Sequence, residues 1–160
     1  MAELCRICSS RRPRRHCPGI ESDICAPCCG TQREVNISCP LDCVFLQEAR
    51  GHEHSVNVDP KSLPNQDVKL NEAFLREHQQ LLVFAGFTLA EAALRTAGAV
   101  DQDVQAALAA LIRTRRTAES GLVYETRADD AVAARIQDLF ETSFAEFQRE
   151  RAQREGGSPY

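Results

Sequence analysis

Eight cysteines carry the chemistry this chain is equipped to do. They run C-x2-C from Cys5 to Cys8, then Cys17, then C-x2-C-C across Cys25, Cys28 and Cys29, then C-x3-C from Cys39 to Cys43. None occurs in the 117 residues that follow. A C-x2-C pair in a tight turn aims two sulfurs at one ion, and zinc prefers four tetrahedral ligands of thiolate or imidazole type. The expected cofactor is zinc, as two structural ions held by Cys5, Cys8, Cys17, Cys25, Cys28, Cys29, Cys39 and Cys43. A closed four-thiolate site leaves no position for water or substrate, so its expected role is structural.

The spacing leaves the partition open. In one interleaved scheme Cys5, Cys8, Cys25 and Cys28 hold one ion, and Cys17, Cys29, Cys39 and Cys43 the other. In its variant Cys28 and Cys29 exchange ions. A single-zinc arrangement would leave four cysteines spare. Vicinal side chains diverge, which assigns Cys28 and Cys29 to different ions. His16, His52 and His54 are the other nearby candidates. They are expected to be exposed polar residues, the alternative being that one replaces a cysteine.

The competing use of eight cysteines is a disulfide framework, which requires export. The N-terminal M-A-E-L-C-R-I-C has no apolar segment, and Pro13 follows the Arg11-Arg12 pair. No stretch approaches the length of a membrane span. A reducing, cytoplasmic location and no membrane association are expected.

The cysteines must be positioned by few apolar residues. Over residues 1–50 the large ones are Leu4, Ile7, Ile20, Ile24, Val35, Ile37, Leu41, Val44, Phe45 and Leu46. So small a segment needs metal to fold. Cys5–Cys8 and Cys25–Cys28 are expected to be knuckles, and Asp23-Ile24 and Glu34 to Ile37 short strands. Ser38 or Cys39 should cap a helix with Pro40 in its first turn, placing Cys39 and Cys43 on one face at i and i+4 and ending at Gly51.

Beyond the join, the pattern turns helical. Asn71 should cap a helix bearing Phe74, Leu75, His78, Leu81, Leu82 and Ala85, stopped by Gly86. Thr88 to Glu91 reads as a capping box opening a short helix to about Ala97. Asp101 should cap a helix carrying Val104, Ala107, Leu108, Leu111 and Ile112 to about Ser120. Leu122, Val123 and Tyr124 are expected to pack onto the helices from a loop. Asp129 should then cap a long last helix bearing Val132, Ile136, Leu139, Phe140, Phe144 and Phe147. The expected fold is mainly α: a small two-zinc, cross-brace-like domain at 1–50, a linker at 51–67, an antiparallel helical bundle at 68–155 and a frayed tail at 156–160.

The segments C-R-I-C, H-C-P-G, I-C-A-P-C-C-G-T-Q-R-E and C-P-L-D-C-V-F-L-Q-E-A-R together resemble a family of small prokaryotic cysteine-rich zinc-binding proteins. S-G-L-V-Y-E-T at Ser120 to Thr126 extends the likeness over most of the chain. The resemblance implies zinc binding and brings no known activity. More loosely, C-x2-C…CP…C-x2-C resembles the HIT, MYND and B-box cross-brace fingers, which implies interleaved sites and a protein-interaction role. The chain departs from the HIT pattern, because Cys17 has no C-P-x-C partner and a vicinal Cys28-Cys29 appears instead.

Charge narrows the function classes. The chain has 160 residues and a net charge of -4. Residues 1–50 carry seven Lys/Arg against six Asp/Glu, and the rest twelve against seventeen. Eight thiolates around two dications would turn the N-terminal part negative, which argues against bulk nucleic-acid binding. Arg11, Arg12, Arg14 and Arg15 form the sharpest basic run. They are expected to offset the thiolate field, the alternative being contact with nucleic-acid phosphates. No nucleophile–base pair, phosphate loop or H-E-x-x-H is present. The expected function is a non-enzymatic zinc-binding adaptor presenting a surface to an unidentified protein partner. The alternative is nucleic-acid or ribonucleoprotein binding through Arg11–Arg15, and a redox-sensitive zinc switch comes third.

Overall fold

The computed structural model describes residues 4–53, 59–62, 71–121 and 124–154. His54 and most of the expected linker, the packing of Leu122 and Val123, and the expected frayed tail lie outside them.

The chain is mostly helical with one small sheet. Strands β1 (Arg15–Cys17) and β2 (Ser22–Ile24) pair antiparallel, with His16 opposite Asp23. The first cysteine knuckle docks on this hairpin through its backbone. The Arg6 amide donates to the Asp23 carbonyl at 3.1 Å, and the Arg14 amide extends the hairpin's own pairing to the Ile24 carbonyl at 3.0 Å. The Pro18-Gly19 turn passes so close to the 37–38 segment that a Cβ on Gly19 would lie 2.7 Å from the Ser38 carbonyl oxygen. Any larger residue there must displace backbone. Glu34 to Ile37 forms no strand. It is a turn closed by an isolated bridge between Arg33 and Ile37.

Helix α1 (Ala26–Gln32) begins at the second C-x2-C pair, with Cys25 as N-cap and Pro27 in the first turn, where its missing N–H is harmless. Only the start of this segment reads as a knuckle in the sequence. Helix α2 (Val44–Arg50) starts later than expected, with Cys43 as its N-cap. Cys39 is therefore not one helical turn from Cys43. Residues 40–43 form a turn instead, closed by the Cys43 amide donating to the Pro40 carbonyl at 3.0 Å, and the Leu41 amide ties that turn to the Ala99 carbonyl at 2.7 Å.

A short 3₁₀ turn spans Pro60–Ser62. Helix α3 (Glu72–Glu77) is capped by Asn71, whose Oδ1 accepts from the Phe74 amide at 2.8 Å. The helix breaks at His78 and resumes as α4 (Gln79–Leu94). Gly86 does not end it, and Thr88 opens no new helix. Both lie inside α4, where Thr88 is buried. A lone glycine costs a helix only about 1 kcal/mol, which packing along the rest of its length outweighs. The stop comes at Leu94, with Arg95 as C-cap, and Gly98, at φ +74, lies in the turn that follows.

Helix α5 (Asp101–Glu119) has Val100 as N-cap, and Asp103 rather than Asp101 accepts the Val100 amide at 2.9 Å. Helix α6 (Ala131–Arg154) is capped by Asp130, one residue after the expected Asp129, through its Oδ1 and the amides of Val132 and Ala133. Helix α6 packs against both α4 and α5. Alanines dominate this core: Ala107, Ala110 and Ala133 are fully buried, beside Ile136. Phe84, Phe144 and Phe147 fill the far end of the α4–α6 contact, with Phe84 and Phe147 stacked at 4.1 Å. Tyr124, expected to pack, is exposed, and the loop is held instead by its backbone. The buried Gln137 donates to the Thr126 carbonyl at 2.9 Å and accepts from the Ala128 amide at 3.0 Å.

Candidate metal centre

Four sulfurs converge between the first knuckle and α1. The Sγ atoms of Cys5, Cys8, Cys25 and Cys28 all lie within 4.8 Å of one another. Cys8 and Cys25 are 3.9 Å apart. A zinc–thiolate bond of about 2.3 Å implies tetrahedral sulfur–sulfur edges of about 3.8 Å, so this spacing fits one soft cation. Cys5, Cys25 and Cys28 are buried and Cys8 partly so. All eight cysteines of the chain are free thiols.

Each sulfur is placed by local structure. The turn at Cys5–Cys8 is closed by the Ser9 amide donating to the Cys5 carbonyl at 2.8 Å, with Ser9 held at φ 50. Every non-glycine residue with positive φ among the described residues (Ser9, Glu21 and Glu34) lies in this cysteine module. Such backbone costs about 1–2 kcal/mol per residue and persists only where its surroundings hold it. From α1, Cys25 sits at the cap and Cys28 on the first turn. The Cys25 amide donates to Cys5 Sγ at 3.2 Å, joining the two halves.

Without a cation the four thiols cannot all ionise. Hydrogen bonds from the Ser10 side chain and the Ser10 and Arg11 amides lower Cys8 to about 5. Burial pushes Cys5 up, but amides of Cys8, Cys25 and Ile7 bring it below the usual thiol range. Cys28 is pushed up to about 12, first by sharing its proton with the Cys25 sulfur and then by burial. The first thiolate is cheap and the last expensive, which is the electrostatic pattern a divalent ion relieves. Arg11 supplies part of that charge already: contact with Cys25 raises its own affinity for a proton.

The expected partition with Cys28 in the Cys5 group matches this geometry. The variant with Cys29 does not, because consecutive residues on α1 point about 100° apart. Cys29 turns instead to the arginines, accepting from Arg15 Nη1 at 3.4 Å and lying 3.9 Å from Arg33 Nη2. Two converged groups were expected and one is found. Among the described residues no other three metal-binding side chains meet within 4.8 Å. Cys17, Cys29, Cys39 and Cys43 stand around a shared cavity without converging. Burial pushes the Cys39 thiol up, a Glu34 backbone hydrogen bond opposes it, and negative charge on Cys17, Cys43 and Glu34 adds to the rise.

The histidines lie elsewhere. His16 Nδ1 pairs with Asp23 at 3.0 Å on the exposed hairpin face. His52 is exposed, and His78 meets the Phe74 ring edge-on at 4.4 Å. Of the basic run, Arg11 faces sulfur and Arg15 is held between Cys29 and the Phe45 ring, 4.5 Å away. Arg12 and Arg14 are exposed. Sequence reasoning missed the Arg15–Phe45 stack and Gln137, neither of which has a periodic or motif signal.

No family model, curated protein or solved structure matches the chain. Among the described residues no helix is long and apolar enough to cross a membrane.

Proposed function

We propose that this protein is a non-enzymatic adaptor whose N-terminal module is built on a structural zinc ion at Cys5, Cys8, Cys25 and Cys28. The convergence of four sulfurs within 4.8 Å carries the reading. Four protein thiolates complete a tetrahedral shell and exclude water and substrate from the ion, which favours a structural over a catalytic role. Zinc suits an all-sulfur tetrahedral set better than harder divalent ions do. Free thiols in this number call for a reducing compartment, and the cytoplasm is the proposed location. The contact surface is proposed on α4, where Val83, Phe87 and Leu94 are exposed at 65%, 70% and 61%. Large apolar side chains grouped on one helix face are the usual mark of a protein-binding surface.

Two measurements test it. Elemental analysis of purified protein should find zinc, lost from this site in Cys25→Ser. Tagged protein from the native host should retain a partner that Phe87→Glu releases while zinc content stays unchanged. Retention of the same partner by Phe87→Glu would remove the α4 surface from the account. The nucleic-acid reading retains Arg12 and Arg14 as exposed cations. It requires salt-dependent retention on RNA or DNA that Arg12→Ala/Arg14→Ala abolishes.

A further inference from the structure

The remaining four cysteines come from three separate segments. Cys17 ends β1, Cys29 lies in α1, and Cys39 and Cys43 flank the turn before α2. All four line one cavity of about 10 Å³. That is room for a single water-sized guest, and an apolar gap of this size would ordinarily be filled by a methyl group. Here four cysteines share the lining with apolar residues such as Ile24, Phe45 and Leu46. Two guanidiniums, from Arg15 and Arg33, approach the Cys29 sulfur at 3.4 and 3.9 Å, so cationic charge is already directed at this cluster. The segment that carries Cys39 and Cys43 also joins the cysteine module to the helices. Between them Leu41 is buried among Ala92, Ala93, Ala99 and Ile136, and its amide bonds the Ala99 carbonyl.

We propose that Cys17, Cys29, Cys39 and Cys43 form a second soft-metal site that closes when it binds a divalent cation such as zinc, and that the bound ion clamps the 39–43 turn so that Leu41 stays seated in the helical core. Binding exchanges thiol protons for the cation and releases them to solvent, with no change of oxidation state. Closing the site requires the four sulfurs to draw together. Cys39 sits on irregular chain that no helical ladder constrains, and Cys43 is at a helix cap. Arg15 and Arg33 would then balance the charge of the loaded four-thiolate site. The two sites differ in function: the Cys5 group organises the module, and this one fixes its attachment. The inference depends on the cysteines being metal ligands and is tested separately from the first site.

Cobalt(II) reports thiolate coordination directly through its charge-transfer absorption. Titrated into the metal-free full chain, cobalt should raise this absorption linearly to two equivalents. Cys39→Ser and Cys43→Ser should each saturate at one equivalent and Cys25→Ser should lose the other, with far-UV circular dichroism verifying that the helices persist. In zinc-loaded protein, hydrogen exchange at the Leu41 amide should speed up about tenfold in Cys39→Ser while the Cys25 amide, held in the first site, is unchanged. Saturation of the wild-type chain at one equivalent overturns the second site, and needs no variant to fold. Two equivalents in Cys39→Ser would overturn the ligand assignment. Unchanged exchange at Leu41 would overturn the clamp. Loss of metal in Cys25→Ser alone, with the 39 and 43 variants unaffected, would leave the first site standing and refute this one.

Discussion

Cys8 and Cys28 sit in one cluster and hold their protons very differently. Cys8 is lowered to about 5 by donors from Ser10 and Arg11, and Cys28 is pushed up to about 12 beside Cys25. At neutral pH the cluster therefore carries a thiolate but keeps protons that an incoming cation must expel. Protons compete with metal, so zinc affinity should fall continuously as pH drops from ~8 to ~5, and more steeply once Cys8 also takes up its proton. Because Cys8 is already ionised at neutral pH, filling this site should release fewer than four protons. Calorimetry in buffers of different ionisation enthalpy counts them. Release of four protons would show that Cys8 is not ionised in the free site. The pairing of Cys5, Cys8, Cys25 and Cys28 was legible in the sequence as one of two schemes. The vicinal Cys28-Cys29 implied diverging side chains, and the α1 helix beneath them, which the pattern did not reveal, decides which one joins the group.

At the scale of elements, sequence signals failed where packing overrode them. Gly86 and the Thr88 capping box are local stop and start signals, yet α4 runs through both. A Cβ on Gly86 would meet nothing within 4 Å. Gly86→Ala should therefore stabilise the protein by about 0.5–1 kcal/mol in urea unfolding, since it adds helix propensity without a clash. A helix ending at residue 85 would show no such gain. The caps at Asn71 and near Asp101 and Asp130 were legible because a short polar side chain before an apolar run has few other uses. Gln137 was not legible. One buried amide fixing the Thr126–Ala128 loop has no periodicity to betray it. The 39–43 segment likewise reads locally as a helix start, with Pro40 and Asp42 well placed. Its long-range bond to Ala99 was not available to any local rule.

For the whole molecule, the link between the cysteine module and the helices matters most. The division at residue 50 came from the confinement of all eight cysteines to residues 5–43 and from the helical pattern beyond the linker. The structure adds a connection: Leu41 reaches into the helical core, and Arg50 bridges Glu34 at 2.7 Å and Asp101 at 3.0 Å. The ion pairs are half-exposed and contribute little, typically under about 1 kcal/mol. Leu41 carries the attachment. Leu41→Ala should cost about 2–5 kcal/mol if both parts unfold together, measured by urea denaturation followed at the helices. A loss below about 0.5 kcal/mol would mean that the helices do not sense the module.

The central claim is that one ion sits among the four converged sulfurs. X-ray absorption at the zinc edge, on the full chain in which Cys17, Cys39 and Cys43 are replaced by serine, isolates that site. The account predicts about one zinc with four sulfur neighbours at about 2.3 Å. Nitrogen or oxygen in the first shell, or zinc that persists after Cys25→Ser is added, would contradict it.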